Sequence, residues 1–210
     1  MNKFIAATLL TASGALFLAG AAHATTLIKS PDVGTYWGLL SSKGSYVYAD
    51  SFIAPVTGTV TDLGMWLNGG SSSLVFEILA DSSNSPNGAS VLATTAAMSF
   101  NLGALTFEHA APTSSATLIA GQEYWFAGST VGLAGSGDYS TGGHTQNSEG
   151  ISDNGTFWFS NDAMGVSFDG QKYTPEMAFS VSINEVPEPT SMALLGAGVV
   201  FLGAMRRKAA

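Results

Sequence analysis

Three tryptophans, two histidines and a scatter of acids carry most of the chemistry the chain offers. Trp66, Trp125 and Trp158 each stand within a few residues of an Asp, Asn or Glu. A flat indole beside such a group suits a sugar: the ring packs on its C–H face and the polar group takes its hydroxyls. The same three rings can equally be covered by loops and serve as secondary core. His109 and His144 fall in no H-E-x-x-H spacing, and no G-x-S-x-G elbow occurs, so neither zinc-protease nor serine-hydrolase chemistry has a motif. Asp81, Asp138, Asp153, Asp162 and Asp169 sit among turn formers, but none opens a D-x-[DN]-x-[DN]-G calcium loop. No metal and no cofactor is therefore assigned. A glycosidase-like carboxylate pair would be invisible here, because its separation of roughly 5–9.5 Å is a tertiary property. Nothing else favours catalysis, and the chain reads as non-enzymatic.

The densest information lies at the two ends. Residues 1–24 begin with Lys3, continue through an apolar, small-residue stretch and close on Ala22-His23-Ala24, an A-x-A site before Thr25. These are the parts of a signal peptide helix removed by signal peptidase. At the other end Pro187-Glu188-Pro189 precedes an uncharged run, 190–205, and then Arg206, Arg207 and Lys208. Proline lacks an N–H, so no regular helix runs through the tripeptide. Sixteen residues make a helix of about 24 Å, short of a hydrocarbon core of about 30 Å, and Gly196, Gly198 and Gly203 weaken it. A marginal single transmembrane helix is expected, its three cations held on the cytoplasmic side.

Pro-Glu-Pro, short apolar run and basic cluster, in that order, resemble the PEP-CTERM sorting signal over residues 186–208. The resemblance implies export across the inner membrane of a Gram-negative bacterium, transient anchoring by the tail, and recognition of Pro187, Glu188 and Pro189 by exosortase. It also implies delivery to the cell surface or to an exopolysaccharide matrix.

Between the ends lie residues 25–185, enough for one domain with a substantial core. Leader and tail remove four of the seven Lys and Arg. Lys29, Lys43 and Lys172 then face all 15 Asp and Glu, Glu188 included, a net charge of −12 for residues 25–189. That balance repels phosphate backbones, so no nucleic acid is expected. No cysteine is present, and no disulfide can staple the fold.

Period-two patterning places strands at 46–53, 59–68, 74–79, 91–100, 104–108, 116–119, 123–127, 156–160 and 177–183. In the last of these Met177, Phe179, Val181 and Ile183 share the apolar face. In the second, alternation sets Leu63, Met65 and Leu67 on one face and Val60, Asp62, Trp66 and Asn68 on the other. Gly, Asn and Asp punctuate the gaps, with 81–88, including Pro86-Asn87-Gly88, read as one of the turns and 130–150 as a long loop holding an irregular strand. The expected fold is all-β, an antiparallel β-sandwich or jelly-roll-like domain flanked by the two terminal helices. Ser51 to Pro55, Val60 to Leu67, Phe76 to Asp81, Leu118 to Trp125 and Ala178 to Val181 together resemble bacterial choice-of-anchor domains, which are β-sandwiches without established enzymatic activity. An exported, non-enzymatic surface or matrix protein is the resulting expectation. A carbohydrate-binding module using Trp66, Trp125 and Trp158, or a polysaccharide hydrolase or lyase, are the alternatives.

Overall fold

A computed structural model describes residues 24–29, 36–40, 46–68, 71–101, 103–133, 139–144, 157–171 and 176–186. The leader, Pro187-Glu188-Pro189, the apolar run and Arg206-Arg207-Lys208 lie outside these. Every strand pair among the described residues is antiparallel, no helix occurs among them, and two eight-stranded sheets result. The first sheet contains β1 (Ala24–Lys29), β2 (Tyr36–Leu40), β4 (Gly58–Asn68), β8 (Thr106–Ala110), β10 (Thr117–Leu118), β12 (Tyr139–His144), β15 (Glu176–Met177) and β16 (Phe179–Glu185). The second contains β3 (Val47–Ile53), β5 (Ser71–Asp81), β6 (Pro86–Thr95), β7 (Met98–Asn101), β9 (Pro112–Ser114), β11 (Glu123–Ser129), β13 (Phe157–Ser160) and β14 (Asp169–Gln171).

The apolar faces named by period two meet between the sheets. Val181, Ile183, Leu63, Met65 and Leu67 of the first sheet pack with Phe52, Phe76, Ile78 and Phe126 of the second in one buried cluster. Phe179 stacks across it on Phe126, centroids 4.8 Å apart and planes 6° from parallel. Inside this apolar layer Asp50 is fully buried, and its Oδ2 accepts the Met177 N–H at 2.9 Å, tying β3 to β15 across the sandwich. A buried carboxylate is tolerable only when hydrogen-bonded in this way.

Three local readings of the sequence need correcting or narrowing. Val60 does not share the outer face with Trp66; it is buried in the core. The register between β16 and β4 slips between Ser182 and Ile183, because an extra residue, Thr61, bulges from β4 and returns Val60 to the core side. The hairpin turn of β5 and β6 falls at Ser82–Ser85, within the expected turn region 81–88, and is narrower than it, excluding Pro86–Gly88. Ser83 (φ 60°) and Asn84 (φ 63°) supply the two positive φ values of a two-residue turn matched to strand twist. Pro86 already begins β6. The expected strand 91–100 is interrupted at Ala96 and Ala97, and both halves run along the same edge of β5. At the break the Phe76 N–H donates to Thr95 Oγ1 at 3.0 Å, a side chain replacing the missing carbonyl.

Candidate functional site

The three tryptophans do not share a face. Trp125 and Trp158 point outward from the second sheet into a smaller cluster with Val47, Ala49, Leu79 and Ala127. Trp125 is fully buried there, its Nε1–H donating to Asp81 Oδ1 at 3.0 Å, and Trp158 meets it edge-on at 6.4 Å. The loop after β13 helps cover them. Asp162 shapes that loop, its Oδ1 accepting the Met164 N–H at 2.9 Å and its Oδ2 those of Val166 and Ser167. Those three bonds hold the Asp162 carboxyl below the usual carboxylate range. Asp81 accepts the Asn84 N–H as well, so both acids work as turn formers. Trp125 is thus structural, and with a covered ring it offers no face to a ligand.

The same outer face carries Glu77. Register places Trp158, Ala49, Ala127, Glu77 and Thr94 in one row across the second sheet. Burial pushes the Glu77 carboxyl up from 4.5 to about 7, with no hydrogen bond to counter it. A raised carboxyl binds more protons in the folded than in the unfolded state between those two values. Stability is therefore lost as pH rises from 4.5 to about 7 and is flat above. At about 1.4 kcal/mol per pH unit, and discounted for partial solvent contact, the loss is about 1–2 kcal/mol. Glu77→Gln should abolish that slope in urea unfolding and leave the variant more stable than wild type at pH 8. Equal slopes for the two proteins would refute the assignment.

Trp66 lies on the opposite side of the molecule, on the outward face of the first sheet. There β4 pairs with β8, bringing Gly64 opposite His109 and Trp66 opposite Phe107. Gly64 leaves the space that the Phe107 ring fills; any Cβ there would collide with it. Phe107 packs on Trp66 with centroids 4.4 Å apart and stacks on the His109 imidazole at 5.4 Å and 13°. His109 Nδ1 lies 3.2 Å from both carboxylate oxygens of Asp62. Beside Asp62 across the sheet stand Ser182 and Thr26, whose hydroxyls are 3.1 Å apart. The outcome is a strip of three rings flanked by a carboxylate and two hydroxyls. Phe107 is 37 % exposed and the His109 side chain 58 %.

Chemically, this strip can stack on flat apolar faces and exchange hydrogen bonds with hydroxyls. Its His–Asp pair orients an imidazole, and among the described residues the hydrogen bond it makes is to Asp62 and not to a Ser or Thr hydroxyl. Among the described residues no three His, Asp or Glu converge as metal ligands. The sequence singled out Trp66 but passed over Phe107 and treated His109 as an exposed, locally bonded histidine. The side chain is exposed, and its partner is Asp62 on the neighbouring strand, 47 residues away in the sequence. The side chain of His144 falls outside the described residues. Of the cleavage residues, Ala22 also lies outside them, while Ala24 and Thr25 open β1.

Ala24 pairs with Asn184 on β16, so the start of the described chain and its end emerge together. β16 keeps its pairing through Glu185, and the Val186 N–H donates to the Thr57 carbonyl at 3.0 Å. Residues 185–208, which begin at this point, match the model of the PEP-CTERM protein-sorting motif. No curated protein matches the chain. The motif marks the chain as exported, directed to exosortase and transiently held in the membrane of a Gram-negative bacterium.

Proposed function

We propose that this chain is a non-enzymatic β-sandwich displayed at the cell surface or in the exopolysaccharide matrix, where it contacts saccharide through the strip of Trp66, Phe107, His109 and Asp62. The sorting motif supplies the route. The observation that carries the saccharide reading is the exposure of stacked rings beside hydroxyl-binding groups on an open sheet face. Isolated exposed aromatics are ordinary, but a contiguous row held by Gly64 is a built surface. An imidazole stacked on Phe107 and held through Nδ1 by Asp62, in an exposed row of rings, supports binding over turnover. The motifs within residues 51–183 that resemble choice-of-anchor domains would suit a display role. Signal peptidase would release the leader before Thr25.

Affinity electrophoresis of the exported domain in gels containing the producing organism's own exopolysaccharide tests the saccharide reading. Phe107→Ala and Asp62→Asn should each weaken retention about tenfold, roughly 1.4 kcal/mol, the scale of one stacking or hydrogen-bonding contact. Both residues are at least partly exposed, so the melting temperature should stay near that of wild type. Wild-type retention that neither substitution changes would place the contact elsewhere. No retention of wild type would leave a display protein without a saccharide role.

A further inference from the structure

The chain leaves the sandwich at one end, and that end is built in a particular way. The loop 54–57 and the turn 119–122 are laced together: the Gly121 N–H donates to the Ala54 carbonyl at 2.8 Å and the Ala54 N–H to the Gln122 carbonyl at 3.0 Å. Thr57 joins both to the last strand, its Oγ1 accepting the Ala120 N–H at 3.1 Å and its carbonyl accepting the Val186 N–H. On the rim of this end Ile119 is 50 % exposed and Val186 47 %, and Pro55 is exposed as well. Singly such residues need no explanation. Their position does, because the chain continues from Val186 straight into the membrane-directed tail.

Four backbone steps separate Val186 from Thr190, where the uncharged run starts. Fully extended they reach about 14 Å, and two of the four residues are prolines held near the slightly shorter polyproline geometry. The headgroup layer on one side of a bilayer is itself about 5–8 Å thick. Val186 cannot move away from the sandwich without breaking its bond to Thr57, so little slack is left. We infer that, before the tail is removed, the end formed by Pro55, Val56, Thr57, Ile119, Ala120 and Val186 rests on the outer headgroup layer of the membrane. The pairing of Ala24 with Asn184 places the leader's exit on this end too. The inference depends on residues 190–205 spanning the bilayer.

The chain has no cysteine, so single labels are clean. Ile119→Cys and Val186→Cys, each carrying an environment-sensitive fluorophore, are compared with Ala104→Cys. Ala104 is exposed near Thr106, which pairs with Leu67 at the far end of β4. The full chain is reconstituted in vesicles of phosphatidylethanolamine and phosphatidylglycerol containing a headgroup-nitroxide lipid. Labels at 119 and 186 should be quenched severalfold more than the label at 104. Inserting a Gly/Ser linker of about eight residues between Val186 and Pro187 should reduce the quenching at 119, since the reach then exceeds the headgroup layer. Equal quenching at 119 and 104, in protein that floats with the vesicles, overturns the docked end alone. Quenching at 119 that the linker leaves unchanged overturns the short tether as its cause. Protein that does not float with the vesicles overturns the membrane span and the docking with it.

Discussion

Phe179→Ala should cost about 3–5 kcal/mol of unfolding free energy, the usual range for a buried phenylalanine. Phe179 has no exposed surface, and its strand β16 is flanked by β1 and β4. Its ring lies parallel to Phe126 of the opposite sheet at 4.8 Å and meets Phe52 at 6.0 Å, so it bridges the layers. Truncation leaves a cavity that two facing, hydrogen-bonded sheets cannot close by moving one side chain. A domain of this size holds only about 5–15 kcal/mol in all, so a large share of the stability would go. With no disulfide to compensate, the urea midpoint should fall steeply. Ser182→Ala, on the outer face of the same strand, should shift stability by only about 0.5 kcal/mol. If the two variants unfold alike, Phe179 does not bridge the sheets as described.

Glu188→Ala and Pro187→Ala should each stop removal of the tail and leave the full-length chain in the inner membrane. Proline excludes regular helix and disfavours it at the preceding residue, so the tripeptide is expected to offer itself as an extended peptide, and Glu188 is its only charge. The fold should not suffer. The last described backbone bond ahead of the motif is that of Val186 to Thr57, and β16 ends at Glu185. Intact-mass measurement and fractionation of exosortase-bearing cells give the outcome directly, and the melting temperature of the domain serves as the control. Normal processing of both variants would reduce the tripeptide to a linker.

The sequence alone determined what is local to the backbone. Alternation in Met177, Phe179, Val181 and Ile183 specified the buried face, because successive side chains of a strand leave on opposite sides, although the strand breaks at Ala178 and Met177 belongs to β15. The leader-like start, the Pro-Glu-Pro tail and the acidic balance are equally local, since charge, proline and apolar length act without knowledge of the fold. Tertiary structure decided everything that depends on which strand lies beside which. Pairing of β4 with β8 is what places Phe107 and His109 beside Trp66 and Asp62, residues about 40 positions apart in the chain. Many strands of similar composition offer nearly equivalent edges, and only the whole packing selects one register. The bulge at Thr61 overrode alternation for Val60, because one inserted residue shifts every side chain before it to the other face. Trp125 became core because Val131 and, from farther along the sequence, Phe168 pack on its cluster, and Glu77 acquired its raised affinity for a proton through burial in the assembled sheet. Burial of that kind belongs to the assembled molecule, since water is excluded by neighbours and not by the residue's own type.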